Sequence, residues 1–234
     1  MKVLAIMCHP DDLELDCSGT LIRYKDAGHE VTACHAANGN MGHMVIMPGE
    51  LAKIRETEAQ NAARIGGFEV ISAGFNDLEI NAGDKTQIYK MIQIIRSVAP
   101  DVIITHAPED YCSDHAELSR IVFNASFSAT CPHFHPELGD AAPLSALYYS
   151  DTSSSVNFIP VEYVDISDVM DRKEKMLACH ESQLGWLMEH DKIDIISVQR
   201  TRASMRGTQC GVAFAEGFRP LLADGRLRTY RVLP

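Results

Sequence analysis

Apolar runs alternate with amphipathic stretches along the whole chain. The first run, KVLAIM at residues 2–7, is nearly continuous and predicts a strand buried on both faces. Similar runs predict further strands over residues 30–36, 68–72, 101–105, 146–150 and 161–166. Apolar residues at helical spacing predict helices over residues 18–27, 48–65, 85–98, 114–126, 168–180 and a last stretch to about residue 204. Two glycines, Gly66 and Gly67, end the second helix as a C-cap does.

Strands that alternate with helices predict right-handed crossovers and a mostly parallel sheet covered on both faces. The chain has no repeat, no low-complexity stretch and no evident linker, so residues 1–234 are expected to form one α/β domain of the doubly wound, Rossmann-like class. In such sheets ligands bind at the carboxyl ends of the strands, where the strand order reverses. With the order 3-2-1-4-5, the loops after the first and fourth strands would meet at that point.

Those two loops carry the densest polar clusters, CHPDD at residues 8–12 and HAPEDYCSDH at residues 106–115. Two imidazoles and one carboxylate from them would make a three-ligand zinc site with a fourth position open for water. Zinc lowers the pKa of such a water, and a second nearby carboxylate can take its proton and later deliver it to the leaving amine. The adjacent Asp11 and Asp12 can divide these two tasks.

HPDD alone is also typical of a turn that ends in a helix-capping aspartate. Its position directly after a buried first strand, matched by Asp114 and His115 after the fourth, favours the metal site.

Composition and charge exclude several other classes. The net charge of −11 and the lack of a basic stripe argue against nucleic acid as a partner. No run of eighteen apolar residues is present, so no membrane span is expected, and the N-terminus is interpreted as a strand rather than a secretory signal. Cytoplasmic location is then the default.

Cysteine and glycine patterns exclude further sites. Seven cysteines at wide spacings, with no CxxC pair, argue against a disulfide framework and a cysteine-built zinc site. The chain has no dinucleotide fingerprint, P-loop or G-x-S-x-G motif.

Taken in order, these motifs and several weaker blocks resemble the LmbE/PIG-L-like zinc N-deacetylases. The blocks are HPDDLEL with GTL at residues 19–21, PGELAKIRETEAQNAARIGG, GFNDLEI, EDYCSDH, KEKMLACHESQ and QCGVAFAEGFR. The resemblance implies a hydrolase with one zinc ion per chain. It would remove the N-acetyl group of an N-acetylglucosamine-like amino sugar or its conjugate; hydrolysis of another amide on the same machinery is an alternative.

The resemblance also implies roles for individual residues. His9, Asp12 and His115 would be the zinc ligands, and Asp11 the general base. Arg55, in an R-x-x-E block, and Asp77, in a G-x-x-D block, correspond to substrate-binding positions for sugar hydroxyls. The simpler alternatives are a surface arginine paired with an acid and an aspartate in a turn.

One departure from the family pattern concerns the loop after the fourth strand. Many members carry H-P-D-H where this chain has CSDH at residues 112–115. The first histidine of that motif looks like an oxyanion-stabilising or acid group oriented by the aspartate, here Asp114. The thiol of Cys112 is a poor hydrogen-bond donor, and as a thiolate it would repel an oxyanion or could join the metal. Other predicted donors are Tyr111, His106 and His180.

Two readings from other classes compete with a hydrolase. A metal-binding sensor or scaffold without catalysis is one, although a site of that kind needs no spare carboxylate such as Asp11. A nucleotide-binding oxidoreductase rests on fold analogy alone.

Two features of the chain's assembly and metal choice are also predicted. The apolar loop with Met41, Met44, Ile46 and Met47 predicts a lid or an oligomer interface, and a homo-oligomer is expected. A His₂Asp set also accommodates iron, manganese or cobalt.

Overall fold

Seven strands form one sheet in the structure, a computed structural model that describes residues 1–234. The strands are β1 (Lys2–Met7), β2 (Glu30–Ala37), β3 (Glu69–Phe75), β4 (Val102–Thr105), β5 (Ala146–Ser150), β6 (Glu162–Asp165) and β7 (Ala215–Pro220). Their order is β3-β2-β1-β4-β5-β7-β6, and only β7 runs antiparallel to its neighbours. The predicted α/β class, the order of the first five strands and the reversal between β1 and β4 are confirmed.

Eight helices pack around this sheet. They are α1 (Asp12–Asp16), α2 (Ser18–Asp26), α3 (Pro48–Gly66), α4 (Lys85–Val98), α5 (Ser113–Ser128), α6 (Met170–Leu177), α7 (Glu181–His190) and α8 (Ile195–Cys210). A short 3-10 turn, Pro136–Leu138, lies in the loop before β5. None of the helices combines the length and the apolar character that crossing a bilayer requires.

The sheet separates two hydrophobic cores. Alternate side chains of β1 enter each core: Val3 and Ala5 pack on the side of α2, α3 and α6, whereas Leu4 and Ile6 pack on the side of α4 and α5. This two-sided burial is why the first strand has an unbroken apolar sequence. The helix α3 ends, as expected, at Gly67, which has a left-handed φ of 80°.

The structure differs from the sequence-based expectation at three places. The two helices expected from residue 168 to about residue 204 are three, α6 to α8, and the strand β7 and the five-residue helix α1 were not predicted. β7 places Glu216 and Gly217 at buried positions, so its sequence lacks the apolar pattern of a strand. α1 begins at Asp12, inside a motif whose composition is typical of a turn.

The glutamate of β7 joins three parts of the chain. Glu216 accepts hydrogen bonds from the backbone N–H groups of Gly19 (2.9 Å) and Thr20 (2.8 Å) at the start of α2. Its Oε1 also lies 2.5 Å from the ammonium of Lys173 on α6, which donates to the carbonyl of Leu15 as well (3.1 Å). Both charged side chains are buried, so the charge of each compensates that of the other.

We expect Lys173→Met to lower the free energy of unfolding by about 3 kcal/mol, because it leaves Glu216 buried without its counter-charge. Urea denaturation followed by circular dichroism measures the change. The matched control is Arg23→Ala, which breaks an exposed pair with Asp168 and should cost less than about 1 kcal/mol. Equal losses in both variants would contradict the importance of the buried pair.

Candidate functional site

The loops after β1 and β4 meet at the carboxyl edge of the sheet, where the strand order reverses. The first loop turns at once into α1, and the Asp12 carboxylate at its start accepts the backbone N–H of His9 (2.7 Å). The second loop leads into α5, whose first turn carries Asp114 and His115. Short connections therefore hold the polar side chains of both loops against each other.

Three nitrogen and oxygen atoms form the centre of this cluster. The Nδ1 atom of His9 lies 3.2 Å from Oδ2 of Asp12, and the Nε2 atom of His115 lies 3.1 Å from the same oxygen. The two nitrogens are 3.3 Å apart. A tetrahedral zinc ion with bonds of 2.0–2.1 Å has ligand atoms about 3.3 Å from one another. The donor set and its spacing therefore fit zinc.

A third imidazole, that of His106, also lies beside Asp12. Asp12, His106 and His115 form a group of potential metal ligands, with Nε2 of His106 3.5 Å from Oδ2 of Asp12. That nitrogen, however, accepts the backbone N–H of Cys8 (2.9 Å), which occupies its lone pair. Burial lowers the pKa of His106 to about 4, so its ring is neutral, and it stacks on His115 at 3.8 Å. His106 thus supports the cluster, and His9 offers the free donor atom.

His9 and His115 each contact a carboxylate through the ring nitrogen that does not face Asp12. The Nε2 atom of His9 lies 3.2 Å from Oδ2 of Asp114, which also accepts the backbone N–H of Leu78 (2.7 Å). The Nδ1 atom of His115 lies 3.5 Å from Asp110 and 3.3 Å from the hydroxyl of Ser153. Partners of this kind fix the ring orientation and tautomer of metal-binding histidines. The family resemblance implied that Asp114 orients the first residue of its motif as part of the catalytic machinery, and its contact in the structure is to the imidazole of His9.

The Asp11 carboxylate lies beside the donor set without belonging to it. Its Oδ1 atom is 3.1 Å from a guanidinium nitrogen of Arg55, which also donates hydrogen bonds to the carbonyls of Pro10 and Gly39. Burial raises the pKa of Asp11, and the positive charge of Arg55 opposes the rise. The backbone of Asp11 has a φ of 122°, a conformation that non-glycine residues rarely adopt and that is common at functional sites.

The two predicted substrate-binding residues are both buried. Arg55 lies behind the loop of Asp11, as described. The carboxylate of Asp77 accepts the backbone N–H groups of Gly39 (2.8 Å) and Met41 (3.0 Å). The polar atoms of both side chains therefore hold the loops after β1 and β2, and a direct contact with sugar hydroxyls stays a prediction.

Cys112 and two of the predicted oxyanion donors, Tyr111 and His180, lie in different surroundings. Tyr111 is 93% exposed, so its ring extends into solvent at the edge of the site. His180 is fully buried, 3.1 Å from Glu14; burial lowers its pKa, but the charge of Glu14 outweighs this and raises it. The half-buried Cys112 is the N-cap residue that precedes α5; burial raises its pKa, but its contact with His115 produces a net decrease. None of these three side chains belongs to the central set of donor atoms.

Sequence reasoning did not single out Asp110 or Ser153. Asp110 lies inside the EDYCSDH block, and it accepts the Ser153 backbone N–H and hydroxyl, each at 2.9 Å. Ser153 follows β5, whose carboxyl end lies at the same edge of the sheet. Because ligands bind at the carboxyl ends of the strands in such sheets, the loop after β5 could have been predicted from the sequence as a third part of the site.

Comparison with known families gives one match. A family model described as PIG-L, GlcNAc-PI de-N-acetylase, matches residues 4–126, which is more than half of the chain. The matched segment contains all the predicted metal ligands as well as Asp11, Arg55 and Asp77.

Curated relatives and solved structures extend the similarity along the chain. The diacetylchitobiose deacetylase of Thermococcus kodakarensis is 29% identical over 231 residues, covering 93% of this chain and 82% of that protein. A 1D-myo-inositol 2-acetamido-2-deoxy-alpha-D-glucopyranoside deacetylase of Geodermatophilus obscurus is 22% identical, covering 66% of this chain and 63% of its own length. The structure of the N,N'-diacetylchitobiose deacetylase from Pyrococcus horikoshii gives a TM-score of 0.82 at 26% identity, over 94% of this chain and 83% of that one.

We expect Asp114→Asn to weaken zinc binding about 10- to 100-fold, because the His9 imidazole loses its charged partner. Competition with a chromophoric chelator measures the affinity. Glu117→Gln is the matched control, since Glu117 lies one turn further along α5 and also accepts a backbone N–H, that of Ala82 (2.8 Å), but contacts no histidine. Unchanged affinity in Asp114→Asn would contradict the orienting contact.

Proposed function

The chain belongs to the PIG-L family of N-deacetylases, which are amide hydrolases, and on this basis we propose that it releases acetate from an N-acetylglucosamine-type sugar. The observation that carries the proposal is the set of three donor atoms, from His9, Asp12 and His115, with mutual distances of 3.1–3.3 Å.

We assign these three residues as the zinc ligands. The Asp12 carboxylate suits a cation, because the neighbouring imidazoles, His115 foremost, outweigh burial and hold its pKa well below the usual range. Zinc held there would polarise the acetamide carbonyl and lower the pKa of water at its open position. The contacts with Asp114 and Asp110 would keep the ring protons on Nε2 of His9 and Nδ1 of His115, so that Nδ1 of His9 and Nε2 of His115 would give up their protons when zinc binds.

Asp11 would act as the general base. Its carboxylate follows the ligand His9 by two residues and is held by Arg55 rather than by the donor set. A base takes the proton of the attacking water and returns it to the amine nitrogen as the C–N bond breaks. Burial favours this exchange, because it brings the pKa of the carboxyl group closer to neutral pH. Arg55 would therefore contribute by fixing the position of the base.

For the oxyanion, Tyr111 is the better placed of the two remaining predicted donors. Its exposed phenol is adjacent to Cys112, whereas His180 has no exposed surface and faces Glu14. A donor must reach the oxygen on which charge develops, at about 3 Å. We therefore assign this role to Tyr111, by a movement of its exposed side chain toward the site.

The printed activities of the relatives support the substrate class. Two of these enzymes are named for diacetylchitobiose and one for an inositol 2-acetamido-2-deoxyglucoside. The substrates of all three therefore contain a 2-acetamido sugar. A single deacetylase domain over residues 1–234 is supported by Ser153 and His180, which come from the second half of the chain and lie near the site.

Two further features stay predictions. The seven free cysteines agree with the predicted cytoplasmic location, where thiols are kept reduced. The homo-oligomer also stays a prediction.

We expect Asp11→Asn to lower kcat at least about 100-fold while one zinc ion per chain is retained, because the proton transfer is lost but His9, Asp12 and His115 remain. Asparagine tolerates positive φ, which limits damage to the fold. Acetate release from N,N'-diacetylchitobiose and elemental analysis measure the two quantities. Full activity in this variant would remove Asp11 from the mechanism. Bound zinc without turnover of any acetylated amino sugar by the unchanged protein would favour the metal-binding protein without catalysis.

The ligand assignment has its own test. His115→Ala should lose zinc, whereas His106→Gln should keep it, because a glutamine oxygen can still accept the N–H of Cys8. Elemental analysis of folded protein, with circular dichroism as the check, measures both. Full zinc content in His115→Ala would refute the assignment.

A further inference from the structure

Four loops at the edge of the sheet that carries the His/Asp cluster bear exposed apolar side chains. Each loop follows one of the strands β2 to β5, whose carboxyl ends lie at one edge of the sheet. The exposed residues are Met41, Met44, Val45, Met47, Leu78, Tyr111 and Val156. Exposed apolar groups that cluster around a site mark a binding surface, because isolated ones are common but contiguous patches are not.

Leu78 has the most direct connection to the cluster. Its backbone N–H donates to Oδ2 of Asp114 (2.7 Å), the same oxygen that lies 3.2 Å from the His9 imidazole. Its φ is +66°, a left-handed conformation unusual for leucine, and its side chain is 77% exposed. A strained backbone therefore holds an apolar side chain in solvent beside the metal ligands, which is typical of a functional position.

The loop with Met44, Val45 and Met47 is fixed to the loop of Leu78. The Asp77 carboxylate accepts two backbone N–H groups of the first loop, and the side chains of Asn40 and Asn76 are joined by a hydrogen bond of 3.0 Å. The two loops are thus joined at residues 39–41 and 76–77, which places the exposed apolar residues that follow on neighbouring segments.

The polar side chains of these loops are engaged with one another. His43 accepts the N–H groups of Val45 and Ile46 through Nδ1, and Asn76 donates to Glu79. Asp77 is likewise occupied by backbone groups. Hydroxyl groups of a substrate would have to compete with these bonds, whereas an apolar group would meet free surface.

We propose that the substrate carries an apolar alkyl or aryl aglycone beside its acetamido sugar, and that Leu78 and the loop of Met44 to Met47 contact it. This inference rests on the proposed deacetylation. A second copy of the chain would be the alternative occupant, but one bound at Leu78 would cover the metal ligands and block the site.

The test compares the deacetylation of methyl and octyl N-acetyl-β-D-glucosaminide, both below the micelle concentration of the octyl compound. Burial of part of the longer chain should make kcat/KM about tenfold higher for the octyl glycoside. Leu78→Asn should lower the octyl-to-methyl ratio about threefold or more, since it removes the apolar side chain where asparagine keeps the left-handed backbone. Zinc content is measured in the same samples to show that the site is intact.

Leu222→Asn is the matched control. Leu222 is 75% exposed, but it follows β7, whose carboxyl end lies at the opposite edge of the sheet because this strand is antiparallel. The octyl-to-methyl ratio of the Leu222→Asn variant should equal that of the unchanged protein. A ratio near one in the unchanged protein would overturn the apolar aglycone while leaving deacetylation intact, and no turnover of either glycoside would refute the proposed function. A Leu78→Asn variant that changes the sedimentation coefficient but not the ratio would assign the surface to a second copy.

Discussion

One oxygen atom, Oδ2 of Asp12, lies within 3.5 Å of a nitrogen from each of three imidazoles, those of His9, His106 and His115. A buried carboxylate is stable only where charge and hydrogen bonds compensate for the lost water. The segments that carry these imidazoles are the ends of β1 and β4 and the first turn of α5. The site is therefore possible because β1 and β4 are neighbours in the sheet. The carboxylates of Asp114 and Asp110 hold the imidazoles of His9 and His115 in place.

Much of this architecture follows from local sequence. The unbroken apolar run of β1 indicates burial on both faces, and the alternation of strands and helices indicates a doubly wound sheet, for which 3-2-1-4-5 is a common strand order. From that order alone, the loops with His9 and His115 are expected to meet. The family resemblance then separates Asp11 from Asp12, which spacing cannot do, since both residues follow the same strand.

The features that could not be predicted from the sequence depend on contacts between residues far apart in the chain. Glu216 is stable inside β7 only because Lys173 and the start of α2 compensate it, and no local pattern reveals that pairing. Similarly, the sequence cannot show that His106 gives its lone pair to a backbone N–H while His9 keeps its own. Arg55 and Asp77 were expected to face a ligand, but both turn toward backbone groups of the loops. In these cases the choice of hydrogen-bond partner is made by the whole fold.

The position of β7 also determines when the site can be completed. The strand enters the sheet between β5 and β6, both of which precede it in the chain. Glu216 then secures the start of α2, directly after the short helix that begins with Asp12. During synthesis the ribosome releases these early segments long before the strand that fastens them. His9, Asp12 and His115 lie in the first half of the polypeptide, but the segment that follows Asp12 is fastened only when the last strand joins the sheet.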